Sequence, residues 1–159
     1  MQSVTTRERG YLIPAWLTNT LRLLMNAEID LRLVPEPEVV TTARHALDRL
    51  TDLLPPEKLE DVRLVVSELV TNSILHAGLS PDDQISLTVT VSDGAVRGSV
   101  CDPGPGFGMP SEPSPRSDLS GGWGLPIVET ISDRWGVEGN RPACVWFEID
   151  CDISLPRPS

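Results

Sequence analysis

The chain has no excess of positive charge: its 159 residues carry a formal net charge of -10. That balance excludes a broad basic surface for binding nucleic acid without sequence preference. It leaves open a protein that controls a nucleic-acid-binding partner. No apolar run is long enough to cross a bilayer, and no N-terminal stretch resembles a signal peptide. The expectation is a soluble, cytoplasmic protein without direct nucleic-acid or membrane contact. Cysteines are few, and Cys101, Cys144 and Cys151 lack the paired spacing of metal ligands. Cys101 and Cys144 sit in apolar runs and are expected to be buried thiols in a reducing setting. The Gly-Lys-Ser/Thr of a phosphate-binding P-loop is also missing. What remains is an ordinary globular composition, 40% hydrophobic and 23% charged, in a length that fits one domain with a true core.

One stretch stands out. Asp61 to Gly78, DVRLVVSELVTNSILHAG, reads as a helix with Glu68, Asn72 and His76 recurring every four residues. That spacing sets them in a row along one side. Val62, Val66, Leu69 and Val70 make a neighbouring apolar side able to pack on a sheet. A carboxylate followed one turn later by a neutral amide can orient a hydroxyl nucleophile and hold a hydrated divalent ion. Pro56 can begin this helix, and Glu57, Glu60 and Asp61 complement its positive end.

The flanking chain supplies strands. Glu28 to Val34 alternates apolar and polar and stops at Pro35 and Pro37. Glu38 to Leu50 has helical spacing, with Arg44, His45 and Arg49 as solvated or salt-bridging groups. Gln84 to Val91 alternates, Asp93-Gly94 is a hairpin turn, and Ala95 to Cys101 returns as the partner strand. That strand runs into Asp102-Pro103-Gly104-Pro105-Gly106. An acid at a strand end can accept a hydrogen bond from an exocyclic amine, and the glycines allow close backbone approach to a planar base. No helix opens inside these glycines, so this is not the dinucleotide fingerprint. Met109 to Ser120 reads as a polar loop. Gly121-Gly122-Trp123-Gly124-Leu125 then leads into a helix over Pro126 to Ile131, whose start can hold phosphates. Arg134 to Glu138 and Pro142 to Ile149 read as the closing strands, with Trp135 and Trp146 as core aromatics. Before Glu28, Trp16, Leu17, Leu21, Leu24 and Met25 form one face of a short helix. That helix either crosses the core or meets a partner or second copy, unless the region is a loosely ordered extension.

Together, Glu68-x-x-x-Asn72, Asp102-x-Gly104-x-Gly106 and Gly122-x-Gly124-Leu125 resemble the boxes of the GHKL (Bergerat-fold) ATPase and kinase superfamily, shared by gyrase B, MutL and sensor histidine kinases. The wording SELVTNSILHAG and the small size resemble most the anti-sigma factor serine/threonine kinase branch, which includes many small ATP-binding regulators of actinobacteria. The resemblance implies a two-layer α/β (α+β) sandwich with helices on one face of a mixed, mostly antiparallel sheet. It implies an N-terminal extension over 1–27, an ATP-binding domain over 28–150 and a tail over 151–159. It also implies ATP and Mg2+ as cofactors: Asn72 on magnesium, Glu68 as general base, Asp102 on the adenine amine, and Gly104 and Gly106 beside the base. Residues 107–122 would form a lid over the nucleotide, with Gly122, Trp123, Gly124 and Leu125 at the phosphates. The implied partners are a sigma factor and an anti-anti-sigma protein whose serine or threonine is phosphorylated, with homodimerisation left open.

The chain departs from that pattern in its cations. Trp123 stands where relatives often carry arginine, and Ala143-Cys144 where they often carry a lysine-threonine pair. Arg116 is the single basic residue of the lid segment. Phosphoryl transfer relies on neutralising developing charge. Two functions therefore compete: a protein serine/threonine kinase that doubles as an anti-sigma switch, and a noncatalytic ATP-sensing module that binds a partner. A histidine kinase is disfavoured by the lack of a phosphoacceptor helix pair. A gyrase-like ATPase is disfavoured by the lack of transducer domains.

Overall fold

The computed structural model describes residues 26–104, 125–139 and 142–151. In chain order the elements are β1 (Ala27–Leu33), α1 (Val39–Ala46), a 3-10 turn (Leu47–Leu50), α2 (Pro56–His76), β2 (Ile85–Ser92), β3 (Ala95–Asp102), α3 (Leu125–Ile131), β4 (Arg134–Glu138) and β5 (Ala143–Asp150). The expected N-terminal helix lies outside the described residues, as do nearly all of the tail and the lid segment.

Alternation builds the sheet. In β1 to β3, every second residue is buried or half-buried against the helices, and the intervening ones face away. The five strands pair in the order β1-β2-β3-β5-β4, and every pairing among the described residues is antiparallel. Where a mixed sheet was expected, the described strands form an antiparallel one. Asp93 (φ 49°) and Gly94 (φ 76°) make the two-residue turn between β2 and β3. Positive φ at both central positions is what a type I′ hairpin requires and what Asp-Gly tolerates.

The helices cover one face. Val62, Val65, Val66 and Val70 of α2 are fully buried against Leu87, Val89, Val96, Phe147 and Ile149 of the strands. Each such side chain contributes roughly 1.5–3 kcal/mol of transfer free energy. Pro56 opens α2 with Glu57 in its first turn, and the helix runs five residues upstream of Asp61. The expected single helix over Glu38 to Leu50 is divided: α1 ends at Ala46 and the chain tightens into the 3-10 turn. In that tighter winding, residues three apart eclipse, so Leu47 and Leu50 both reach the core at full burial.

Two expectations are corrected on the opposite face. Trp146 is half-buried there, with its indole against Gly136, rather than in the helix-covered core. Trp135 does pack on that core. The error has a physical origin: ACVWFEI is a nearly continuous apolar run, so periodicity alone does not say which face each residue takes. Cys101 and Cys144 are not buried thiols. They stand directly opposite each other in β3 and β5 and are joined as a disulfide, half-buried on the open face. Cys151 is free and buried, and burial pushes its thiol pKa up.

Candidate functional site

The site forms where the C-terminal half of α2 crosses the end of β3. Glu68 lies in mid-helix and is half-buried. One turn later Asn72 is 1% exposed, and neither its amide oxygen nor its amide nitrogen has a hydrogen-bond partner among the described residues. Leaving a buried polar group unpaired costs roughly 1–3 kcal/mol. A helix-forming apolar residue at this position would carry no such cost. The side chain therefore has the character of a group held ready for a ligand.

The next residue ties the helix to the strand. Ser73, 2% exposed, donates its hydroxyl to Asp102 Oδ2 at 2.7 Å. The backbone N–H of Gly104 donates to Asp102 Oδ1 at 3.0 Å. Asp102 itself is 4% exposed, the last residue of β3 on the helix-covered face. Both carboxylate oxygens are thus fixed by one donor each, and each keeps further acceptor capacity. Gly104 lies tight against α2's C-terminus. A Cβ there would sit 2.8 Å from both the Cβ and the backbone oxygen of Ala77, and 2.9 Å from Asp102 Oδ1. Only a residue without a side chain permits this approach.

Leu125 is the first residue of α3. It is half-buried, packs against the core, and α3 lies against α2. Gly106, Gly122, Trp123 and Gly124 lie outside the described residues. His76 ends α2, half-buried. The structure thus brings Asn72, Asp102 and Gly104 together through Ser73 and Ala77, with Glu68 one helical turn from Asn72. Ser73 and Ala77 were missed by sequence reasoning, yet they left a signal. Val62, Val66 and Leu69 continue at helical spacing to Ser73 and Ala77, so a hydroxyl and then a small residue interrupt an apolar stripe.

Among the described residues no cluster of three or more His, Cys, Asp or Glu could hold a metal ion. A divalent ion here would rest on few protein ligands. That suits magnesium, which keeps several waters and binds through one or two side chains together with phosphates. Asn72 fits that role through its unpartnered amide oxygen.

The opposite face of the sheet is chemically different. Arg97 and Arg134 both pair with Glu148, and Arg134 also reaches Asp150 at 2.6 Å. The hydrogen bond from Arg134, with help from Arg97, outweighs burial and holds the Glu148 carboxyl below the usual carboxylate range. A depression of about 490 Å³ there is lined by Thr88, Thr90, Ser99, Trp146 and their neighbours. It is separated by the sheet from Asn72 and Asp102.

Comparison with known proteins bears on the chain as a whole. A family model described as "Histidine kinase-like ATPase domain" matches residues 33–149. The "Serine-protein kinase RsbW" of Listeria monocytogenes serotype 4a (strain HCC23) is 30% identical over 122 residues, covering 69% of this chain and 78% of that protein. The "Anti-sigma F factor" of Clostridium botulinum (strain Eklund 17B / Type B) is 32% identical over 123 residues, covering 72% and 86%. Among solved structures, the RsbU and RsbW domains of Rv1364c from Mycobacterium tuberculosis superpose with a TM-score of 0.61 at 19% identity. That match spans 79% of this chain but only 32% of the other, and it speaks to the fold alone. Among the described residues no helix is long and apolar enough to cross a membrane.

Proposed function

The chain belongs to the histidine kinase-like ATPase domain family, and from that premise we propose that it is a cytoplasmic ATP- and magnesium-binding anti-sigma regulator that phosphorylates a serine or threonine of an anti-anti-sigma partner. The observation that carries the reading is the buried, unpartnered amide of Asn72 beside the Ser73–Asp102 hydrogen bond. Asn72 would offer its oxygen to magnesium while staying neutral. Asp102, already oriented by Ser73 and Gly104, would accept a hydrogen bond from the adenine amine. Gly104 would let the backbone approach the base. Glu68 would accept the proton of the partner's hydroxyl as that oxygen attacks. When bound, ATP supplies the phosphoryl group and magnesium neutralises phosphate charge. Relatives named as a serine-protein kinase and as an anti-sigma factor support the same pair of roles.

The test has two arms. Calorimetry with Mg·ATP should show binding to the native protein and its loss in Asn72→Ala. Transfer of labelled phosphate to a cognate anti-anti-sigma protein should occur with the native chain and stop in Glu68→Ala. Transfer that survives in Glu68→Ala would remove Glu68 from the base role, and absence of any adenine-nucleotide binding would end the whole reading.

A second reading, a noncatalytic ATP-sensing module, is favoured by one observation. The start of β5 places Ala143, which is not cationic, directly beside Asp102. Under this reading Mg·ATP binds, and no partner gains a phosphoryl group under any condition.

A further inference from the structure

We propose that Cys101 and Cys144 form a reversible redox modification site that sets the position of Asp102 from behind the sheet. The inference rests on the nucleotide-binding reading above for its consequence, not for its chemistry.

Cys101 of β3 and Cys144 of β5 are direct partners across an antiparallel ladder, with Cα atoms 4.0 Å apart and the sulfurs bonded. That separation is closer to the ~4.5 Å of a non-hydrogen-bonded pair than to the ~5.5 Å of a hydrogen-bonded one. Side chains at such positions lie closest together. The bond therefore joins two residues that the ladder already pairs side by side.

Cys101 immediately precedes Asp102, and Cys144 immediately follows Ala143, the residue paired with Asp102. Successive side chains point to opposite faces, so the disulfide sits on the open face directly behind the Asp102 carboxylate. It is half-buried there, with the Ser73–Asp102–Gly104 hydrogen bonds on the other side. A small oxidant or reductant reaches it without entering the nucleotide pocket. Cys151 is buried, and burial pushes its thiol toward the protonated form, which disfavours its reaction with an oxidant. A cysteine pair in a cytosolic protein that does form a disulfide is usually transient and redox-sensing.

The chemistry balances with hydrogen peroxide as oxidant. One thiolate attacks a peroxide oxygen, the O–O bond breaks, and a sulfenic acid and water result after protonation. The second thiolate attacks that sulfur, the S–S bond forms, and a second water leaves. The two sulfurs lose two electrons in all, and the peroxide oxygens gain them. A dithiol reductant reverses the step through a mixed disulfide. Oxidised, the staple fixes the ends of β3 and β5 to each other and holds Asp102 in its hydrogen-bonded place. Reduced, the end of β3 keeps its ladder and the Ser73–Asp102 hydrogen bond but loses the covalent tie to β5.

The test uses the full chain, treated with peroxide or with a dithiol, and the double variant C101S/C144S. Intact mass should fall by two hydrogens on oxidation and recover on reduction, with peptide mapping placing the link between Cys101 and Cys144. Amide hydrogen exchange at Asp102 and Gly104 should be slower in the oxidised form. Mg·ATP should bind that form more tightly, by about fivefold, the lower end of typical coupling between sites. The double variant should match the reduced protein under both treatments. Failure to form the Cys101–Cys144 link, or equal exchange in both redox states, overturns the inference. If neither form binds Mg·ATP, the nucleotide reading fails, while the exchange difference still decides the redox site.

Discussion

At the scale of single residues, the site depends on what each buried polar group is given as a partner. Asp102 is a 4% exposed carboxylate oriented by one hydroxyl and one backbone N–H. Ser73→Ala removes the hydroxyl and leaves half of that arrangement. A hydrogen bond to a charged group contributes roughly 1.5–3 kcal/mol, so urea unfolding should show a loss of that size, with weaker Mg·ATP binding alongside. An unchanged unfolding free energy would mean that solvent takes the serine's place. Glu148 gives the pH counterpart on the other face. Its folded-state pKa lies below the ordinary value, chiefly through Arg134. Its contribution is therefore fully present above the unfolded carboxylate pKa of about 4.3, and is lost as pH falls through the folded value. Both arginines are largely exposed, so screening keeps the effect small. Glu148→Gln should cost about 1 kcal/mol near neutral pH, and the gap should close on acidification. A gap constant down to acid pH would assign it to packing rather than charge. Asn72 and Asp102 stand out in the sequence because a polar residue breaks an apolar period or an acid ends a strand, and the structure buries both. Ser73 was not singled out, because one hydroxyl in a helix has many uncommitted uses and its meaning depends on a residue 29 positions away.

At the scale of elements, periodicity and turn chemistry carried most of the fold. The alternation of β1 and β2 and the Asp93-Gly94 turn are local properties, and the structure reproduces each within a residue or two. Properties that depend on register were hidden. Cys101 and Cys144 are 43 residues apart in sequence and meet only because β5 inserts between β3 and β4. Trp146 was misplaced for the related reason that an unbroken apolar run does not reveal its faces. The contact between α2 and the loop after β3 makes the clearest element-level test. In Gly104→Ala the new methyl would meet the Ala77 backbone oxygen at 2.8 Å, and backbone cannot rotate away as a side chain can. Overpacking of this kind costs roughly 1–3 kcal/mol. Thermal unfolding should register that loss, and A77G added to the variant should restore only part of it, because the carbonyl remains. Full restoration would show that only the two methyl groups conflict.

At the scale of the whole molecule, the layering divides the protein into two surfaces with different chemistry. The helix-covered face ends in Asn72 and Asp102, where a neutral amide and an oriented carboxylate wait within one elbow of α2 and β3. The open face carries the Arg97–Glu148–Arg134 pairs and the Cys101–Cys144 bond. Burying an unpaired amide lowers the stability of the ligand-free fold, so a ligand that pairs it should stabilise the entire domain. A ligand that binds only the folded state adds RT ln(1 + [L]/Kd), about 2.7 kcal/mol at a hundredfold excess over Kd. For a chain of this length each kcal/mol shifts Tm by roughly 2–4 °C. Saturating Mg·ATP should therefore raise Tm by roughly 5–10 °C. ATP with a chelator should do less, since Asn72 then has no ion to meet. Asn72→Leu should raise the ligand-free Tm by removing the unpaired amide, and should abolish the nucleotide shift. A ligand-free Tm that falls in Asn72→Leu would mean that the amide is satisfied in the resting protein. The domain would then not be held short of its full stability to receive a ligand.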